Sequence, residues 1–483
     1  MSFSALLIRS MGMMFRVFLT DTIGAEGIGL YQLIMSVYLV FASVSTAGIS
    51  LCATRLFGDF YSAGKISRAK YSVERCILMA FLSGVILSTI MFLASDIFAN
   101  YLLNEKRTAP ALRLLAPSLP FMAVSACIRG YFVARRKTLQ TSGEQILEQI
   151  IEMGVFIFVF SYYRPSTLEA SCTAAVFGTS AAEFVSFIYS ILCYRLDIKR
   201  FNCRSERVNS LFRLVMPVAL PVTANAALRS GLSAAENALI PYGLKRYGSS
   251  DSNALAQYGI ISGMSMTVLV FPSVFIIPFA MLIVPEIAEA VVLKHNKGIK
   301  HMTEKMVSIT LLYSIPVTVC FIFFAVPLCN MIFGNEQAGT YLAVLAPVVP
   351  LMYMDSVVDG ILKGLNEQTS YLIFNTIDSA VRVLLTYILL PHFGIYGVIA
   401  VIIISELLNT FLSVARLIKI TSFRLCVFDD IIRPLICILI PCLFLRLLPE
   451  SDVSGGSSII KIIIAILFYL LAVKYTKISR TES

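Results

Sequence analysis

The chain has 483 residues, 58% of them hydrophobic and 14% charged, with a formal net charge of +10. The apolar residues come in runs near the roughly 20 that a helix needs to cross a bilayer, which excludes a water-soluble globule. The basic excess is spread among short loops instead of covering one face, which argues against a nucleic-acid role.

The runs predict about fourteen membrane-spanning helices, at 3–22, 30–53, 76–98, 112–134, 145–163, 171–194, 211–234, 255–283, 307–328, 340–362, 370–390, 394–416, 431–448 and 459–475. Lys and Arg alternate between loops, which orients the chain. Arg55, Lys65, Arg68, Lys70 and Arg75 follow the second run, Arg135, Arg136 and Lys137 the fourth, and Arg195, Lys199, Arg200, Arg204 and Arg207 the sixth. Lys294 to Lys305, Arg416 to Arg424 and Lys474 to Arg480 keep the alternation, so these loops and both termini are expected in the cytoplasm. The opposite loops carry acids, as with Asp21, Glu26, Glu336, Glu450 and Asp452.

An ionisable side chain at mid-bilayer costs on the order of 2.5 to 3.5 kcal/mol, so such residues normally face a cavity or a partner. Arg9 and Arg16 interrupt the first run and no small-residue cleavage site follows, so it is expected to stay as a helix and not to be removed as a signal peptide. The two arginines are two turns apart, share a face with Gly12 between them, and are separated by a rise of about 10 Å. That spacing, with a glycine gap open to a ligand, suits an extended polyanion such as a lipid pyrophosphate with its first sugar. The alternative for Arg9 is snorkelling to the headgroups.

In the fourth run Leu115-Ala116-Pro117-Ser118-Leu119-Pro120, followed by Gly130, recurs about 230 residues later as Leu345-Ala346-Pro347-Val348-Val349-Pro350, followed by Gly360. Asn104-Glu105 and Thr141-Ser142 flank the first copy much as Asn335-Glu336 and Thr369-Ser370 flank the second. The period is too long for a solenoid and right for duplicated helical bundles. The expected fold is therefore an all-α polytopic membrane protein of two pseudo-symmetric six-helix lobes, residues 1–200 and 207–418, with an extra helix pair at 425–483. Prolines 117, 120, 217, 221, 272, 278, 347 and 350 mark places where helices can bend.

Glu144, Glu148 and Glu152 form an i, i+4, i+8 stripe entering the fifth span, with Glu144 expected to pair beside Arg135, Arg136 and Lys137. Glu152 should lie deepest, as a proton carrier or in a buried pair with Arg129. Arg229 and Glu236 share a face toward the outer end of the seventh span, Asp355 and Asp359 are an i, i+4 pair in the tenth, and Asp378 with Arg382 forms a structural ion pair in the eleventh. Glu183 and Glu406 are single acids whose partners the sequence does not reveal. Glu148, Glu152, Glu236, Asp355 and Asp359 are the candidates for binding a coupling ion, H+ or Na+. Matched through the repeat, Arg129 faces Asp359 and Ser125 faces Asp355, so the lobes keep a plan while their charges change sign. No phosphate-binding G-x-x-x-x-G-K-[ST] run is present, and the cysteines form no CxxC pairs, so no cofactor and no metal centre are expected.

The segment Arg9-Ser10-Met11-Gly12-Met13-Met14-Phe15-Arg16, continuing into Ile23-Gly24-Ala25-Glu26-Gly27-Ile28-Gly29-Leu30-Tyr31-Gln32, resembles the first helix and loop of stage V sporulation protein B-like proteins. These belong to the oligosaccharide flippase branch of the multidrug/oligosaccharidyl-lipid/polysaccharide exporter superfamily. Arg129-Gly130-Tyr131-Phe132 and Glu144-Gln145-Ile146-Leu147-Glu148-Gln149 resemble further signatures of that family, with Glu144 where serine is usual and Ala134 where glycine is common. The resemblance implies a flippase, not an enzyme, for a polyprenyl-pyrophosphate-linked oligosaccharide or peptidoglycan precursor, working as a monomer in a bacterial cytoplasmic membrane. By motif position Arg9 and Arg16 would bind the pyrophosphate. Arg55 and Arg229 are candidate partners by depth, and Arg129 is a further substrate-binding candidate. The alternative is a multidrug/cation antiporter of the same superfamily, and a more remote one is a membrane glycosyltransferase or polymerase.

Overall fold

The structure is a computed structural model that describes residues 2–163, 165, 167–201, 206, 211–447 and 456–481. Arg204, Arg207, Glu450 and Asp452 lie outside the described residues. Among the described residues the ordered elements are all helical. They are α1 (Ser2–Ser62), α2 (Ile66–Leu93), α3 (Ala109–Leu115), α4 (Ser118–Ala134), α5 (Thr138–Tyr163), α6 (Leu168–Ile198) and α7 (Leu211–Tyr247). Then follow α8 (Asp251–Val274), α9 (Ile276–Val292), α10 (Asn296–Phe333), α11 (Glu336–Leu345), α12 (Val349–Gly364), α13 (Gln368–Phe393), α14 (Ile395–Thr421), α15 (Arg433–Leu447) and α16 (Gly456–Thr481). Among the described residues ten helices are long and apolar enough to cross a membrane, or eleven if the bent pair Lys106–Leu115 with Ser118–Ala134 is one span. The chain is a multi-pass membrane protein, and the predicted runs fall on helical segments wherever they are described, without the count of fourteen spans being reached.

Two predicted runs are joined, and three, 112–134, 255–283 and 340–362, contain a break. Residues 3–22 and 30–53 lie in the single element α1, which breaks at Gly24 with φ 71° and ψ −179°. Only glycine holds that backbone without strain. A straight helix would place Tyr31 about 22 Å from Arg16, yet the two side chains are within electrostatic reach, so the arms fold back on each other. The predicted run 255–283 is interrupted: a π-helical stretch at Gly259–Ser265 and a 3-10 turn at Phe271–Val274 end α8, and α9 starts as a separate helix at Ile276. Pro272, which has no N–H to give to a ladder, lies in that turn.

The duplicated Leu-Ala-Pro motif is a break in a membrane helix in both copies. In the first, α3 and α4 meet at a 50° bend. In the second, α11 and α12 are separated by a 3-10 turn at Ala346–Val348. The flanking polar residues repeat as well: Glu105 accepts a hydrogen bond from the Arg107 amide, and Asn335 caps α11 by accepting from the Ala338 amide at 3.0 Å. Pro217 and Pro221, by contrast, lie inside α7 without interrupting it.

The chain forms two compact units, Met1–Tyr242 with Asp251–Ala256, and Gly243–Ser250 with Gln257–Ser483. In the first, α1, α2 and α4 pack on one another and α6 on α4 and α5. Cys52 and Phe57 of α1, Val73 of α2, Ile128 and Tyr131 of α4 and Val215 of α7 share one core. Small residues let these helices approach closely. A Cβ on Gly130 of α4 would lie 2.4 Å from the Ser50 carbonyl oxygen of α1, and one on Gly84 of α2 would lie 2.6 Å from Pro120 Cα. Gly130→Ala is therefore expected to cost about 1 to 3 kcal/mol through overpacking against backbone. Gly154→Ala, where nothing stands within 4 Å, should leave the thermal unfolding temperature of the detergent-solubilised protein unchanged.

In the second unit α10 packs on α11, α12 and α15, and α13 pairs with α14. The terminal helices join this unit's core through Ile438, Cys442, Ala465 and Tyr469, packed with Val307, Val357 and Leu417. An apolar cavity of about 670 Å³ lies between α10 and α16, lined by Ile309, Pro316, Phe321, Ile459, Ile466 and Leu470 among others.

Candidate functional site

The first arm of α1 carries Arg9 and Arg16, both exposed, on a helix that buries Phe15 and Leu19. Arg16 lies within electrostatic reach of Glu152 of α5 and of Tyr31 in the second arm. A Cβ on Gly12 would meet Gln149 Oε1 of α5 at 3.6 Å, an ordinary contact distance. The first arm of α1 thus lies against α5 at Gly12. Arg55 lies far along the second arm in an exposed i, i+4 pair with Asp59 at 3.9 Å, a different level of α1 from Arg16. Arg229 and Glu236 are both half-buried on α7.

Behind the first arm, α4, α5 and α6 enclose a polar interior. Arg129 reaches Glu144 at 3.6 Å and Glu148 at 3.9 Å. Glu144, only 2% exposed, also accepts from Ser186 of α6 at 3.1 Å. Glu152 accepts from Thr179 of α6 at 2.8 Å and from Gln149 at 3.1 Å. So of the two roles expected for Glu152, the pair with Arg129 does not form. The short turn between α4 and α5 lays them side by side, which puts Arg129 opposite the first two glutamates of the stripe, and Glu152 two turns past Glu144 is beyond it. Glu183 of α6 is buried among the same groups.

Glu144 was expected beside Arg135 and Lys137, but those two cations are taken by Asp197 at the end of α6. Arg135 reaches Asp197 at 3.1 Å, Lys137 donates to it, and Tyr131 donates to it at 2.7 Å. The Arg129-Gly130-Tyr131 motif is thereby accounted for residue by residue: an ion pair to α5, a close contact to α1, and a hydrogen bond to α6. Asp197 is not legible in the sequence as a partner, because among Arg195, Lys199 and Arg200 it looks like one more loop charge. Its proximity follows only from the α4–α6 packing.

The second unit has a corresponding polar layer between α12, α13 and α14. Asp355 lies near Asp359, Asp378 and Ser413. Asp378 accepts from Ser405, and Arg382 stands 4.0 Å from Asp378 and 3.9 Å from Glu406. The expected Asp378–Arg382 pair is present, and Glu406 gains a partner. Asn409, 4% exposed, points its Oδ1 into the helix packing with no hydrogen-bond partner. The arginine is on the first of the three helices in one unit and on the second in the other. Among the described residues no three carboxylates, imidazoles or thiols converge closely enough to hold a metal ion.

Outside the spans, Glu367 joins α12 to α13, and its carboxylate accepts from Ser370 at 2.7 Å and from Arg416 at 2.9 Å through both oxygens. The Ser370 hydroxyl first, and then the Arg416 guanidinium, hold its pKa below the usual glutamate value. A lowered folded pKa gives stability that is present above the unfolded value and lost as pH falls through the folded one. The unfolding temperatures of wild type and Glu367→Gln should accordingly differ at neutral pH and converge in acid below about pH 4, near and under the reference glutamate pKa.

A model of the family described as polysaccharide biosynthesis protein matches residues 1–291, and the MatE family model matches residues 246–388. The chain is 23% identical over 464 residues to stage V sporulation protein B of Bacillus subtilis (strain 168), covering 94% of this chain and 89% of that one. It is 21% identical over 444 residues to lipid II flippase MurJ of the same organism, covering 84% and 80%. Among solved structures, a lipid II flippase MurJ in an inward closed conformation matches at a TM-score of 0.72 and 15% identity, covering 99% of each chain. An inward-facing multidrug resistance MATE transporter of the MOP superfamily matches at 0.71 and 13% identity, covering 86% of this chain and 95% of that one. The shared fold is that of MATE and MurJ transporters, and with well over half of its length matched by the family model, the chain belongs to the polysaccharide biosynthesis protein family.

Proposed function

We propose that this protein is a flippase that moves a polyprenyl-pyrophosphate-linked oligosaccharide or peptidoglycan precursor across the bacterial cytoplasmic membrane by alternating access. The observation that carries this reading is the pair Arg9 and Arg16, exposed on an otherwise apolar membrane arm, in a chain similar over most of its length to a lipid II flippase. Two arginines whose backbone positions are about 10 Å apart along one helix face suit an extended polyanion such as a pyrophosphate with its first sugar. The apolar cavity beside α16 supports a lipid substrate, since it would accept a hydrocarbon tail but no saccharide. The loop charges support cytoplasmic termini. Glu148, Glu152, Glu236, Asp355 and Asp359 are the groups on which a coupling H+ or Na+ would act.

A cation antiporter is the second reading, favoured by the acid-rich interior between α4, α5 and α6. Reconstituted protein separates the two. A flippase exposes a fluorescent lipid-pyrophosphate oligosaccharide to a membrane-impermeant lectin or quencher at the far leaflet, whereas an antiporter leaves that lipid where it was and exchanges a soluble organic cation.

A further inference from the structure

Glu183 is buried to 4% exposure in the middle of α6 and makes no hydrogen bond among the described contacts. It faces Glu144, Glu148 and Glu152 from α5 and Arg129 from α4, while Tyr38 approaches from α1. Tyr38 is engaged elsewhere, with its hydroxyl 2.9 Å from Ser118 Oγ. Tyr189 is the remaining titratable group near Glu144. The charge count does not close. If all were ionised, the four carboxylates would outnumber the cations seen beside them among the described contacts, Arg129 and, next to Glu152, Arg16.

An uncompensated buried charge costs several kcal/mol, and the ordinary relief is neutralisation by a proton. Among the described residues no three carboxylates, imidazoles or thiols are grouped so as to hold a metal ion. The other three glutamates each have polar support: Glu144 and Glu148 touch Arg129, and Glu152 accepts from Thr179 and Gln149. Glu183 has none. Ser125, one turn before Arg129 on the same face of α4, is fully buried with its Oγ also lacking a hydrogen-bond partner, so this interior holds more polar capacity than its fixed contacts use. We propose that Glu183 carries a proton in the folded protein and that the space enclosed by α4, α5 and α6 is a proton-binding site. Arg129 and Glu144 are the fixed ion pair of that site, and Glu183 with Glu148 is the pair across which the proton is gained and lost. Its role in transport rests on the flippase reading, whereas its occupancy is measured without any transport.

The experiment uses the full chain purified in detergent near neutral pH. Infrared spectra of the wild type should contain the carbonyl stretch of a protonated carboxyl, reduced in Glu183→Gln. Because a carboxyl protonated when folded and ionised when unfolded binds more protons in the folded state, its contribution to stability falls as pH rises. Glutamine mimics the neutral acid, so Glu183→Gln should unfold at a temperature equal to or above that of the wild type at about pH 8, with Glu183→Ala below both. An unchanged carbonyl band in Glu183→Gln, or a loss of thermal stability in Glu183→Gln as large as that in Glu183→Ala at every pH, overturns the proposal. A flipping assay that fails while the band and the unfolding temperatures behave as stated would count against the substrate reading alone.

Discussion

Arg129→Ala is expected to lower the unfolding temperature of the detergent-solubilised protein sharply. Its guanidinium is the neighbouring cation of two carboxylates, at 3.6 Å from Glu144 and 3.9 Å from Glu148, and Glu144 is almost wholly buried. Removing one partner of a buried pair leaves the other charge without compensation, at a cost of about 3 to 5 kcal/mol. Here the contacts are long and Arg129 is itself a quarter exposed, so the lower end of that range applies. A loss of about 3 kcal/mol is still a large part of the stability of most domains. The signature is rescue: adding Glu144→Gln to Arg129→Ala should restore much of the unfolding temperature, because the uncompensated charge is gone. If Arg129→Ala instead unfolds at the wild-type temperature and loses only flipping, Arg129 contacts substrate, as the sequence suggested.

How far such roles are legible in sequence depends on what fixes them. The duplication is visible because the broken helix recurs with its prolines and flanking caps, and the structure puts a helix break at both copies. The placement of spans follows from hydropathy alone. The partners of Arg129 do not, because they depend on how α5 is rotated about its axis relative to α4, which the i, i+4 spacing of Glu144, Glu148 and Glu152 leaves open. Gly12 is ambiguous for a similar reason: a glycine between two arginines fits a ligand gap or a helix contact equally well, and only the fold places Gln149 beside it. The doubling back of α1 is encoded by one residue, Gly24, whose left-handed φ is visible only in the fold. Asp197 and Glu183 are acids that gain meaning only once α6 is laid against α4 and α5.

Arg16→Ala is expected to lower the initial rate of lipid-linked saccharide exposure by at least tenfold while leaving the protein folded. The factor follows from losing a charge-assisted bond to a phosphate, worth about 1.5 to 3 kcal/mol, with each 1.4 kcal/mol corresponding to a factor of ten. Stability should change little, because Arg16 is exposed and exposed charge pairs contribute at most about 1 kcal/mol. The rival account is that Arg16 serves only to neutralise Glu152, within whose electrostatic reach it lies. The double variant Arg16→Ala/Glu152→Gln separates the two. If neutralisation is the whole role, removing the carboxylate charge restores flipping; if Arg16 holds the pyrophosphate, the double variant stays as slow as Arg16→Ala. Arg16→Lys should recover part of the rate, since an ammonium supplies the charge but not the forked pair of donors that a pyrophosphate accepts. Equal rates for wild type and Arg16→Ala would remove the anion-binding role from the first arm of α1, and with it the strongest reason to prefer a flippase over a cation antiporter for this chain.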